Sequence, residues 1–189
     1  TTIAELCRRL AGEHQTEASL PKAEQATLSS AQQRLWFLDQ FIPNRAAYNI
    51  PLARRIHGPL IVDALRSALS QLVLRHELLR STYSADQGSN VLKISDVANI
   101  AFQYIQSRSQ QHALEMAEED ARQPFNLAEG PLMRCLTISW SDEDHLLVLN
   151  VHHIVSDGWS MGILLRDLTE AYEAALSNRA PAWSPLPST

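Results

Sequence analysis

The chain has 189 residues, 45% hydrophobic and 20% charged, with a net charge of −5 at neutral pH. These values describe a globular domain with room for a sizeable core. They argue against a basic nucleic-acid surface, and no apolar run approaches the ~20 residues of a membrane helix. The opening TTIAELCRRL is amphipathic rather than uniformly apolar and does not read as a signal peptide. Cys7 and Cys135 lie far apart, each among apolar neighbours and without metal-ligand spacing. They read as free buried thiols in a reducing cytoplasm.

In chain order, residues 2–11 predict a short helix, with Thr2 and Glu5 in capping-box spacing and Ile3, Leu6, Cys7 and Leu10 on one face. The polar stretch GEHQTEASLPKAEQAT (12–27) reads as a linker. A three-turn helix then starts at Ser29 or Ser30, either of which has a Gln three residues on, and should turn Leu35, Leu38 and Phe41 inward. YNIPLARRIHG (48–58) predicts a strand, and residues 61–77 a helix with a stripe of Leu65, Leu69, Leu72, Val73 and His76. Two strands follow, LLRSTYS (78–84) and SNVLKIS (89–95), around the turn ADQG. Residues 109–122 predict a charged helix with Ala113, Met116, Ala117 and Asp120 on one face. LMRCLTISW (132–140) and HLLVLNV (145–151) predict a hairpin around SDED. A helix from about Ser160 to Leu176 precedes a proline-rich tail. Helices interspersed with hairpins predict an α+β fold with a mostly antiparallel or mixed sheet flanked by helices.

HHIVSDGWS (152–160) is the stretch that points to chemistry. It lies in the connection from a strand to a helix. Side chains alternate along a strand, so His152 and His153 point to opposite sides and do not readily chelate one ion. No metal site is expected. Asp157 sits where the next helix begins, so it can cap that helix or bind a cation such as an arginine. Gly158 allows close approach of its backbone.

HHIVSDGWS resembles the HHxxxDG motif of the condensation domains of nonribosomal peptide synthetases. LSSAQQRLWFLDQF (28–41) and RHELLRSTY (75–83) resemble the family's first and second core motifs. QPFNLAEGPLMR (123–134) resembles its PFDLxxGPLxR segment, with Asn126 in place of Asp. The family's later motifs, beginning with a YxDYAxW-like segment, have no match. The resemblance implies a chloramphenicol-acetyltransferase-like lobe over residues 28–180, with 181–189 starting the connection to a missing C-terminal lobe. It also implies that residues 1–11 end an upstream carrier-protein helix.

The implied function is that of the N-terminal, donor-side lobe of a condensation domain. Such a domain joins a carrier-tethered thioester to an acceptor amine; the fragment alone is expected to be inactive. His153 is then the catalytic histidine. His152 is expected to pack, and Asp157 to pair with Arg75, with Arg80 and Arg34 as competing partners. Gly158 is expected to present its N–H near the developing oxyanion, and Trp159 to pack rather than touch substrate. No cofactor is expected to bind directly, the substrates riding on phosphopantetheine arms. The expected partners are upstream and downstream carrier domains, the C-terminal lobe and an adenylation domain, with no nucleic acid or membrane. The alternatives are an epimerization domain, a noncatalytic lobe that docks carrier proteins or oxygenases, and a stand-alone acyltransferase completing its cleft as a trimer.

Overall fold

Ser29 starts the first helix by a reciprocal bond: its Oγ accepts the Gln32 N–H at 3.2 Å, and Gln32 Oε1 accepts the Ser29 N–H at 3.0 Å. This helix, α1, is Ser30–Phe41 in a computed structural model that describes residues 28–43, 45–86 and 89–184. The helix expected over residues 2–11 and the linker at 12–27 lie outside the described residues. The chain continues with a 3-10 turn (Arg45–Tyr48), β1 (Asn49–His57), α2 (Val62–Arg75) and a second 3-10 turn (Glu77–Arg80). Then come β2 (Ser81–Asp86), β3 (Ser89–Ile94), β4 (Ala101–Gln106) and α3 (Gln110–Arg122). β5 (Met133–Ser139), β6 (Asp144–His152) and α4 (Gly158–Leu176) follow.

The main sheet has the order β1-β6-β5-β4, while β2 and β3 form a separate antiparallel pair. β6 pairs antiparallel with both β1 and β5, and β4 runs parallel to β5, so the sheet is mixed. β1 is an edge strand, where Pro51 can sit without breaking a central ladder.

Helices cover both faces of the sheet, which is why β6 is buried along nearly its whole length. On one face, Met133, Cys135, Leu149 and Val151 meet Leu65, Leu69, Leu72 and Val73 of α2 and Met161, Leu164 and Leu168 of α4. Leu69 and Leu72 have no exposed surface; side chains buried to that degree contribute roughly 1.5–3 kcal/mol each. On the other face, Leu136, Ile138, Leu146 and Val148 pack against Ala113 and Ala117 of α3. A third cluster, Leu28, Tyr83, Phe125, Leu127, Leu132 and Ile154, lies where α1, β2 and the end of β6 converge. Cys135 is a buried free thiol, pushed up to about 12 by burial.

Several expectations need correction. Phe41 faces outward, 69% exposed, and stacks on Phe37 at 4.6 Å; the buried residue of α1 is instead Asp39. Burial pushes the Asp39 carboxyl up from its ordinary value, against the opposing pull of Arg45. His76 lies just past the end of α2, as its C-cap. Leu78–Arg80 belong to the 3-10 turn rather than to a strand. β4 had no counterpart in the sequence reading.

Candidate active site

β6 ends at His152, and the chain turns through 153–157 before α4 starts at Gly158. The turn is tied on several sides. The His153 N–H donates to the Tyr48 carbonyl at 2.8 Å, and the Val155 N–H to the His152 carbonyl at 3.1 Å. Gln32 donates through Nε2 to the Tyr83 hydroxyl at 3.1 Å and to the Ile154 carbonyl at 3.4 Å. One glutamine therefore caps α1 and also ties α1 to β2 and to the histidine turn.

The two histidines occupy different environments. His152 is fully buried and packs between Tyr48 and Phe125, with ring centroids 6.1 and 6.0 Å away. Its Nδ1 accepts the Ile154 N–H at 3.1 Å, so the neutral ring carries its proton on Nε2. Burial first, and the neighbouring His153 second, push His152 down to about 4; it is neutral at physiological pH. His153 is exposed. Its Nδ1 lies 2.7 Å from the Ser156 carbonyl oxygen, which can only accept. The Nδ1 therefore carries the proton, and the Nε2 lone pair of the neutral ring is left for another group.

Asp157 caps α4. Its Oδ1 accepts the Ser160 N–H at 2.8 Å and the Ser160 hydroxyl at 2.7 Å. Those bonds, the backbone one first, hold its carboxyl below the usual carboxylate value. Asp157 does not pair with Arg75. Arg75 Nε sits 2.8 Å from Asp167 Oδ2, with His76 Nε2 3.0 Å from the same oxygen and Arg166 on Oδ1 at 3.0 Å. The reason is distance along the helix: Asp167 lies ten residues beyond Asp157, about 15 Å at 1.5 Å per residue. Packing of α2 against α4 delivers Arg75 to the middle of α4 rather than to its start. Burial opposes ionisation of Asp167, but the bonds from Arg75, Arg166 and His76 outweigh it and lower its pKa. Burial leads the opposite balance at His76 and lowers its pKa despite Asp167.

The competing arginines do not reach Asp157 either. Arg80 donates to the Val73 carbonyl at 3.1 Å, to the Leu74 carbonyl at 3.4 Å and to the Ser95 carbonyl, closing the C-terminal end of α2. Arg34 is exposed on α1. Trp159, expected to pack, is 83% exposed. Gly158 has no positive φ, and a Cβ built there would meet nothing within 4 Å. Neither crowding nor conformation demands glycine at this point. What glycine leaves is an uncluttered helix start next to His153.

The residues the sequence reading missed are Tyr48 and Ser156, which act through backbone carbonyls, and Asp167 and Gln32. A carbonyl role carries no side-chain signature. Gln32 was visible as a capping residue, but its second set of bonds reaches 51 and 122 residues along the sequence.

The family model described as "Condensation domain" matches residues 22–188. The chain belongs to the condensation-domain family. It is 42% identical over 166 residues to phosphinothricin tripeptide synthetase PhsC of Streptomyces viridochromogenes, covering 85% of this chain and 15% of that protein. A solved complex of the X-domain and OxyB from teicoplanin biosynthesis matches with a TM-score of 0.80 and 31% identity over 89% of this chain and 36% of that one. The starter condensation domain of rhizomide synthetase RzmA matches with a TM-score of 0.77 at 22% identity, over 86% of this chain and 40% of that one. That last likeness speaks to fold alone. The fold is α+β and chloramphenicol-acetyltransferase-like, and the curated relative is a peptide synthetase. The chain spans well under half of each of these relatives.

Proposed function

We propose that this chain is the N-terminal, donor-side lobe of a condensation domain that makes an amide bond between two carrier-tethered substrates. The observation that carries the reading is the state of His153: exposed, proton fixed on Nδ1 by the Ser156 carbonyl, Nε2 free, beside the open start of α4.

In the proposed reaction the acceptor amine attacks the donor thioester carbonyl. A C–N bond forms, the C–S bond breaks, and the sulfur leaves on the donor's phosphopantetheine arm. His153 Nε2 accepts the hydrogen bond, and in the general-base version the proton, of the attacking amine. The Gly158 N–H faces the developing oxyanion at the helix start. Asp157 keeps that helix start in place by capping it. His152 acts from beneath, as a neutral packed ring. No cofactor binds directly. Carrier domains upstream and downstream deliver both arms, an adenylation domain loads them, and a C-terminal lobe supplies the second wall of the cleft. Tethering makes the encounter intramolecular, an effect of up to about 7–11 kcal/mol in well-oriented systems.

A second reading, a noncatalytic docking lobe, is favoured by one observation: the 31%-identical neighbour was solved as an X-domain in complex with OxyB. The test separates the two. Loaded donor and acceptor carriers are mixed with the complete two-lobed domain, and with the 189-residue chain alone, and the dipeptidyl thioester is sought by intact-protein mass spectrometry. The condensation reading expects product from the two-lobed domain and background from the lobe. No product from the complete domain with any loaded pair, together with carrier or oxygenase binding, would establish the docking reading.

A further inference from the structure

We propose that the sheet face toward α3 binds one ordered water molecule, held by His152, Asn49 and Asn150 directly behind the catalytic turn. Of the five buried side-chain nitrogen and oxygen atoms without a partner among the described residues, three are Asn49 Oδ1, Asn150 Oδ1 and His152 Nε2. These three residues are neighbours. Asn49 is the register partner of His152 across β1 and β6, so both side chains stand on one face. Asn150 precedes His152 by two residues on β6 and shares that face.

All three also lean on the same segment at the end of α3. Asn49 Nδ2 donates to the carbonyls of Ala121 and Gln123 at 2.8 and 2.7 Å. Asn150 Nδ2 donates to the Asp120 carbonyl and Oδ2 at 3.3 and 3.4 Å. The His152 ring meets Phe125 edge-on.

The chemistry of the unpartnered set is fixed. Each amide nitrogen faces only oxygen acceptors, so neither amide can be flipped, and both free atoms are acceptors. His152 Nδ1 accepts from Ile154 N–H, so its Nε2 is a donor. Of the nearby Arg134 donors, Nε is taken by Asp120 Oδ1 and Nη2 by the Asp120 and Gln123 carbonyls. The demand is one donor and two acceptors. A water accepts one bond and donates two, and buried waters typically make about three. An ammonium cannot accept, a chloride cannot donate, and a hydroxyl donates only once. Leaving three such groups unpaired in a buried place is unfavourable, which gives the site its affinity. The consequence is that the strand end carrying His153 is held from behind by a solvent molecule joining β1 and β6.

The test is a crystal structure of the chain, or of the complete domain that contains it, at a resolution that shows waters. It is paired with water–protein cross-relaxation at the His152 Nε2–H by NMR. Expected is one density peak within about 2.7–3.2 Å of all three atoms and a cross-peak to water. In the Asn150→Leu variant the cross-peak should be lost. No peak at that position, a direct bond from His152 Nε2 to either asparagine oxygen, or an unchanged cross-peak in folded Asn150→Leu protein would overturn the proposal. Should that variant not fold, the wild-type density and cross-peak decide alone.

Discussion

The Nδ1 of His153 stands 2.7 Å from the carbonyl oxygen of Ser156, and the Nδ1 of His152 stands 3.1 Å from the Ile154 amide nitrogen. The first contact protonates Nδ1 and the second leaves it bare. Two adjacent histidines thus hold opposite tautomers, and only the exposed one offers a lone pair outward. In the two-lobed domain, His153→Ala should lower amide formation by roughly 10²-fold or more, within the range for a positioned acid–base group. His152→Ala should instead lower stability by creating a cavity and stripping the Ile154 N–H of its partner. Single-turnover rates and melting curves of both variants check this; equal rates in two folded variants would reverse the assignment.

Asp157 works as a helix cap, and its substitution should behave accordingly. Asp157→Ala should cost about 0.5–2 kcal/mol, and Asp157→Ser, which keeps an N-cap acceptor, markedly less. Urea denaturation of the two variants measures the difference. A serine variant as unstable as the alanine variant would point to a partner other than the Ser160 N–H.

Arg75 and Asp167 should couple energetically, whereas Arg75 and Asp157 should not. Asp167 is 2% exposed at the side chain, and its carboxylate is the shared partner of Arg75, Arg166 and His76, so Asp167→Ala should cost more than Arg75→Ala, which leaves Asp167 with Arg166 and His76. In a double-mutant cycle with alanine, Arg75 and Asp167 should show a coupling of roughly 0.5–3 kcal/mol, and Arg75 and Asp157 should be additive. The reverse pattern would return Arg75 to the start of α4.

Stability should fall on mild acidification because unfolding releases His152 to take up a proton. Its folded pKa of about 4 lies below the unfolded value of 6.5. The unfolded state therefore binds more protons between those limits, and stability present above pH 6.5 is lost as pH falls toward 4. At 1.36 kcal/mol per pH unit, about 2 kcal/mol should go between pH 7.5 and 5 from this group. The lowered His76 acts with the same sign. The share of His152 is therefore read as the difference between wild type and His152→Asn in urea unfolding at the two pH values. A difference near zero would remove His152 as the source.

The parts of the fold that were legible in the sequence carry a strong period or a strong cap. Ser29 with Gln32, the Leu65–Leu69–Leu72–Val73 stripe and the β5–β6 hairpin all satisfy their local chemistry and their tertiary setting at once. β4 was not legible because it is a short edge strand, exposed at Ala101, Gln103, Tyr104 and Gln106, with only Phe102 and Ile105 half-buried. Such a strand has neither a buried run nor a clean alternation. Phe41 departs from its expected place because α1, which packs Leu35 and Trp36 on the core, also turns the polar Asp39 inward and leaves the Phe37–Phe41 pair outside. At the candidate site, the motif marked the histidine turn between β6 and α4 but not the partner of Arg75. That partner depends on where two helices cross, a quantity that sequence spacing does not contain.

The order of strands also has a consequence in time. β6 lies between β1 and β5, and Asn49 pairs with His152 across about a hundred residues of chain. At synthesis rates of about 5–20 residues per second, β1 leaves the ribosome some 5–20 s before its neighbour exists. The local β2–β3 hairpin can close in microseconds, but the sheet must wait for its central strand, the slow kind of long-range closure. The Tyr48 carbonyl receives the His153 amide only at that last step. A ribosome-bound chain stalled before β6 would therefore hold three of the four described helices and neither histidine of the turn.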